Sequence, residues 1–202
     1  MIAAWDLSDR QPHLAWRTRD GRTGDRRFPD RKAADVVLSA LAELAEETGE
    51  PLEKLGFIRG PGSFTGIRAG LATAEGLRFA GGPRVFGFTK FELLEPLLGS
   101  GRQGLVVPAG GRFVFYACYE DGKAAGEGAS SAVADLPEGW AWLSPGAIEG
   151  LDSRVLGIEP VTLIPERLAA DLAEADYPLA PLYLRPPDVR KGVPLIQKLL
   201  AE

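Results

Sequence analysis

The chain has 202 residues, 45% of them hydrophobic and 25% charged, a composition that can bury a sizeable core in one large domain or two small ones. Its formal net charge is −5, which argues against broad phosphate binding by this chain alone, because non-specific nucleic-acid affinity comes from basic charge. Cys118 is the only cysteine, so no intrachain disulfide can form, which fits a reducing compartment.

The N-terminal run Met1-Ile2-Ala3-Ala4-Trp5-Asp6 has no basic region and no long apolar stretch, so no signal peptide is expected. No segment reaches the ~20 apolar residues of a membrane span, and the expected location is cytoplasmic with no membrane contact. Residues 2–7 read as a short buried strand ending at Asp6. Pro12 to Thr18 alternates, and Asp20-Gly21 marks a hairpin turn into a second run ending near Phe28. Arg17, Arg19, Arg22, Arg26, Arg27 and Arg31 are interleaved with Asp20, Asp25 and Asp30, the pattern of a solvated mixed-charge hairpin rather than an RNA patch.

From Arg31 the period changes. Val36, Val37, Ala40, Leu41, Leu44 and Ala45 fall at helical spacing until Gly49 and Pro51 stop the helix. A strand at 56–59 follows. Then comes the loop Gly60-Pro61-Gly62-Ser63-Phe64-Thr65-Gly66 and a helix over roughly 66–80, for which Ser63 or Thr65 can serve as cap. Val85 to Phe88 is a further strand, and Thr89 caps a helix from Lys90 to Leu98. Gly99-Ser100-Gly101 is the best boundary, after which the pattern restarts. Strands are expected at 105–107, 113–119, 140–143 and 154–157, a helix at 165–175, an extended tail over 181–187 and a final helix over 193–201. The stretch from Ala129 to Gly139 resists assignment. The mixed order implies sheets with parallel and antiparallel strands covered by helices, with two related α/β halves, residues 1–100 and a smaller, more degenerate 101–202.

Several chemistries can be weighed against the central loop. Ser63 invites a hydrolase reading, but G-x-S-x-G fails, because Pro61 and Thr65 occupy the glycine positions. The only histidine, His13, lies in the early hairpin. One His and one Cys do not make a transition-metal site, and no metal is expected. The loop resembles a phosphate cradle at a helix N-terminus, yet no Lys follows it as a P-loop requires. Asp6 and Ser8, at the first strand's end, are weaker phosphate or nucleotide candidates, and no cofactor is expected. The helix after the loop carries Gly66, Gly70, Thr73 and Leu77 on one face. Close helix–sheet packing within the chain and close approach of a partner's helix both explain such a stripe.

The motif Gly60-x-Gly62-Ser63-Phe64-Thr65-Gly66-Ile67-Arg68-x-Gly70, continued by Leu71-Ala72-Thr73-Ala74-x-Gly76-Leu77, resembles the signature of the bacterial TsaB family, the degenerate, glycoprotease-like proteins of threonylcarbamoyladenosine biosynthesis. Asp6, Tyr119 and Pro181-x-Tyr183-Leu184-Arg185 add to it. The resemblance implies a two-lobed actin/Hsp70-like (ASKHA) fold with duplicated βββαβα units. It implies a non-catalytic scaffold that supports modification of the adenosine next to the anticodon, paired with the TsaD transferase and the TsaE ATPase, and meeting tRNA only through that complex. The partner face, which a homodimer would also use, would comprise Gly60, Gly62, Ser63, Phe64, Thr65, Gly66, Arg68, Gly70, Thr73 and Leu77, with Val37 and Leu41 of the preceding helix. On that reading Gly70→Arg removes pairing and spares the fold.

The chain departs from the family pattern at Pro108-Ala109-Gly110 and Phe113, where Asp-Ala-Arg and a Glu are common. It departs also at Lys32, where a His is frequent, and at Leu7, which replaces a hydroxyl residue. These changes bear on any interlobe ligand site. The alternatives are a glycoprotease-like peptidase or small ATPase using the Gly-rich loop, and a stand-alone homodimeric binding module.

Overall fold

Two sheets with the same internal order divide the protein. The computed structural model describes residues 1–29 and 33–185. The first sheet contains β1 (Ile2–Asp6), β2 (His13–Arg17), β3 (Thr23–Arg27), β4 (Lys54–Gly60) and β5 (Arg84–Thr89), in the order β3-β2-β1-β4-β5. β1, β2 and β3 form an antiparallel meander, whereas β4 and β5 run parallel to β1. Parallel neighbours need crossover connections, and two 16-residue helices supply them: α1 (Ala33–Thr48) before β4 and α2 (Phe64–Phe79) between β4 and β5.

Both helices lie on one face. There Trp5, Leu55, Phe57 and Val85 of the strands meet Val36, Val37, Ala40, Leu41 and Leu44 of α1 and Ala74 of α2. Alternate strand residues point the other way, so Ala4, Ala15, Ile58, Phe86 and Phe88 form a second core layer with Val161, Ile164 and Leu168. Ile164 and Leu168 belong to α4 (Ile164–Ala169). Gly56 of β4 makes its seat, because a Cβ there would overlap the Ile164 side chain. A sheet covered on both faces explains why β4 and β5 read as unbroken apolar runs.

The second sheet contains β6 (Arg102–Gly110), β7 (Phe113–Glu120), β8 (Lys123–Ala124), β9 (Ala129–Ala132), β10 (Ala141–Ser144) and β11 (Arg154–Val155). Its order is β11-β10-β6-β7-β8, with β9 also on β7. β7 is antiparallel to β6, and β10 and β11 are parallel to it. The order of the first sheet is thus repeated, but α1 and α2 have no helical counterparts: a 3-10 turn at Val133–Asp135 precedes β10 and an irregular segment precedes β11. This is a two-lobed, actin-like α/β fold with a degenerate second lobe. The lobes are joined through α3 (Lys90–Leu94), which opens on a capping box between Thr89 and Glu92.

Several expectations are adjusted. The helix from Lys90 ends at Leu94 and continues only as a 3-10 turn over Glu95–Leu97, because Pro96 has no N–H to donate. The helix expected over 165–175 is the shorter α4, after which the chain becomes a strap across β5. Gly87 N–H donates to Tyr177 O at 3.2 Å, and the Tyr177 ring packs 4.7 Å from that of Phe88. The edge of the first sheet is thereby covered. The unassigned stretch from Ala129 contains β9, whose Ala and Ser residues carry no strand signature. The helix expected over 193–201 lies outside the described residues.

Tyr119 of β7 is buried in the core of the second lobe with Leu105, Phe115 and Leu143. Burial, with Glu95 and Glu92 nearby, pushes its hydroxyl up to about 12. An unfolded tyrosine ionises near pH 10, so this group's contribution to stability is present below that pH and is lost as pH rises toward 12. Spectrophotometric titration of the native protein should show one tyrosine ionising last, and Tyr119→Phe should remove that step.

Candidate functional site

The end of β1 and the loop before α2 are joined directly. Ser63 N–H donates to Ser8 O at 2.7 Å, and Ser63 caps α2 by accepting from Gly66 N–H at 3.3 Å. Of the two candidates Ser63 and Thr65, Ser63 is the cap, and its hydroxyl serves the helix terminus. Three loop glycines mark places where backbone passes backbone or a buried side chain. A Cβ at Gly66 would overlap the Leu7 carbonyl oxygen, one at Gly62 would lie 2.5 Å from the Ser8 side chain, and one at Gly60 would overlap Leu182 O of the strap. Gly60 also needs the freedom of its side chain's absence, with φ at +133°. The strap is fixed by Leu182 N–H donating to Arg59 O at 2.8 Å, and Tyr183 lies 4.8 Å from the Phe64 ring.

Under this loop sits a polar cluster in which Asp6, Ser8 and Lys90 are buried and Asp9 is half exposed. Ser8 N–H and Oγ–H donate to Asp6 Oδ1 at 2.7 and 2.6 Å. Lys90 Nζ donates to Asp9 Oδ1 at 2.7 Å and lies 3.2 Å from Asp6 Oδ2. Burial pushes the Asp6 carboxyl above the usual carboxylate range, against the pull of Lys90. Burial alone would lower the Lys90 ammonium, but Asp6 and Asp9 outweigh it and hold the group above its ordinary value. Asp6 and Ser8, the weaker phosphate or nucleotide candidates, bond each other. Lys90, whose partners lie more than eighty positions away, carried no signal in the sequence. Above the cluster a cleft of about 680 Å³ runs between Ser8, Arg10, the Gly62–Thr65 loop and Pro108–Gly110. The residues that depart from the family pattern at 108–110 form its far wall.

The glycine stripe faces inward. Gly66 and Gly70 are buried, and a Cβ at Gly70 would lie 3.3 Å from Trp5 Nε1, a buried N–H without a hydrogen-bond partner among the described residues. Their clearance serves the protein's own β1, so Gly70→Arg would disrupt the fold rather than probe a surface. Gly60 is buried as well, and Val37 and Leu41 are core residues at 5% and 6% exposure. These five positions cannot line an open face. Ser63, Thr65 and Arg68 remain exposed, and Gly62, Phe64, Thr73 and Leu77 half-buried.

The outward face of α2 instead carries Ala72, Gly76 and Phe79, with Leu38 and Ala42 exposed on α1. Phe79 is 96% and Leu38 55% exposed. Gly76 has nothing within 4 Å of its Cβ position. In the sequence this face, Ala72-Gly76-Phe79, lies one helical step from the stripe Gly66-Gly70-Thr73-Leu77.

Other candidates are accounted for. His13 Nε2 bonds Asp25 Oδ2 at 2.7 Å, and no bond joins it to Ser63 among the described residues. Burial pushes the Cys118 thiol up, the reverse of an activated nucleophile. Each described arginine of the hairpin has an acidic partner: Arg17 with Glu166, Arg19 with Glu53, Arg22 with Asp20, Arg26 with Glu43 and Glu47, and Arg27 with Glu159. Among the described residues no group of three or more His, Cys, Asp or Glu side chains is placed to hold a metal, and no helix is long and apolar enough to cross a membrane.

The repeated sheet order and the loop packed on the end of β1 define an actin-like α/β protein. No family model matches the chain. It is 36% identical over 171 residues to the uncharacterized protein Rv3421c of Mycobacterium tuberculosis, covering 83% of this chain and 80% of that one. It is 32% identical over 160 residues to ML0378 of Mycobacterium leprae, covering 76% of this chain and 44% of that one. Its fold matches YeaZ from Pseudomonas aeruginosa with a TM-score of 0.62 at 23% identity, over 91% of this chain and 99% of that one. A solved protein described as similar to peptidase YeaZ matches at a TM-score of 0.63. The chain belongs to one family with Rv3421c, and its fold is TsaB-like, of the YeaZ type.

The two kinds of helix glycine should differ in sign on substitution. Gly76→Ala removes the ~1 kcal/mol penalty of glycine in an exposed helix and should raise the melting temperature by about 2–4 °C. Gly66→Ala forces a methyl into the Leu7 carbonyl and should lower it by more than that. Thermal unfolding of dilute protein checks both, and a lower midpoint for Gly76→Ala would show that its surroundings are not open.

Proposed function

We propose that this protein is a non-catalytic, TsaB-type subunit of the tRNA threonylcarbamoyladenosine machinery, pairing with a TsaD-type transferase and a TsaE-type ATPase. The observation that carries the proposal is the α1/α2 face. An almost fully exposed Phe79 and an exposed Leu38 flank the small residues Ala42, Ala72 and Gly76. An aromatic standing in solvent one helical turn from the open space at Gly76 is the kind of anchor that marks an interface. Small exposed residues on both helices permit close approach by a partner's helices. The family motif and the YeaZ-type fold support the choice of partner. The capping role of the Ser63 hydroxyl and the pairing of Asp6 with Lys90 support the scaffold role.

Mixing the protein with its cognate TsaD-type subunit should give a stable heterodimer by size-exclusion chromatography with light scattering. Phe79→Glu and Gly76→Arg change only exposed positions, so both should abolish pairing with melting temperatures within a few degrees of wild type. Unimpaired pairing by both variants would remove the face from the account. No association by the wild type would remove the partner. Peptide or ATP hydrolysis abolished by Ser63→Ala or Asp6→Ala would favour an enzyme instead.

A further inference from the structure

The pairing reading assigns no ligand chemistry to the Asp6–Asp9–Lys90 cluster beneath the cleft, of which Asp9 reaches the lining. Lysine is almost never fully buried unless paired, and taking an ammonium out of water costs several kcal/mol. Lys90 is 4% exposed and Asp6 3%. Two carboxylates meet the ammonium, Asp6 Oδ2 at 3.2 Å and Asp9 Oδ1 at 2.7 Å, while Asp6 Oδ1 is held by both Ser8 donors. Two carboxylate oxygens converging on one positive centre belong to the donor class that a hard divalent cation takes. Here the positive centre is covalently attached. Its position also has consequences for the fold. Lys90 opens α3, the connection from the first lobe to the second, and Ser8 is the residue on which the α2 loop rests.

We propose that the Lys90 ammonium is a built-in counter-ion that takes the place of a divalent cation at the cleft floor. It holds the loop after β1 against α3 without a diffusible ion, so the seat of α2 does not depend on metal or metal–nucleotide. The same arrangement makes the floor repel an incoming cation as long as Lys90 is present. With the lysine truncated, Asp6 and Asp9 become a vacant oxygen site for Mg²⁺, Mn²⁺ or Ca²⁺.

The test compares wild type, Lys90→Ala and Lys90→Ala/Asp6→Asn by thermal unfolding, in chelator and in millimolar MgCl₂, MnCl₂ or CaCl₂ at constant ionic strength. Lys90→Ala leaves the buried Asp6 carboxylate uncompensated and is expected to melt roughly 10 °C below wild type in chelator. At least one of the divalent cations should recover several degrees. Wild type should show no specific response. The double variant should recover stability in chelator and lose the response to metal. A single variant that is as stable as wild type, or that responds to none of the three cations, overturns the proposal. Should that variant fail to fold, calorimetric titration of wild type with MnCl₂ decides. No saturable binding is expected, and binding abolished by Asp6→Asn overturns the proposal.

Discussion

The first turn of α2 lies directly on the Leu7 carbonyl, and the organisation of the lobe follows from that contact. Any side chain at Gly66 would prevent it. Because the helix is seated so close, Ser63 can both cap α2 and bond the backbone of Ser8. The loop then has room for the strap at Gly60, and the strap brings Tyr183 onto Phe64. The seat also fixes the rotation of α2 about its axis. Gly66, Gly70 and Ala74 must face β1, which leaves Ala72, Gly76 and Phe79 facing out. One short contact thus connects the cleft to the outward face.

The lobes repeat a topology without repeating its cover. The first sheet has helices on both faces. On the second, Val106, Val114 and Trp142 are packed by loops and partly buried side chains such as Val133, Leu136 and Ile148. The exposed apolar groups of α1 and α2 therefore belong to the lobe with the complete helical layer. Charge is distributed to match: the arginine-rich hairpin is neutralised pair by pair. Such exposed pairs contribute little to stability, but they leave no uncompensated basic surface on the hairpin among its described residues.

The sequence was most legible where physics is local. The Ser63 and Thr89 caps, the hairpin turn at Asp20-Gly21, the apolar strands β4 and β5 and the helical period of α1 all appear as read. Orientation was less legible. A helix rich in Gly and Ala on two adjoining faces gives periodicity little purchase, so the stripe at 66, 70, 73 and 77 was assigned outward although Trp5 and Leu7 lie beneath it. Val37 and Leu41 belong to the partner face only by the family resemblance, and the apolar side of the amphipathic α1 meets its own sheet. In the second lobe, β9 is an Ala-Ser run that only its pairing with β7 makes a strand. The Lys90–Asp6 pair joins residues that no local pattern connects.

Hydrogen exchange on the protein with and without its cognate TsaD-type subunit tests the central claim most directly. Backbone amides near a docked helix pair gain protection, and which segments gain it identifies the face. The account predicts slowed exchange in α1 around Leu38 to Glu46 and in α2 around Arg68 to Phe79, with the second sheet unchanged. Protection confined to the cleft around Arg10 and Pro108–Gly110, or no change on mixing, would contradict it.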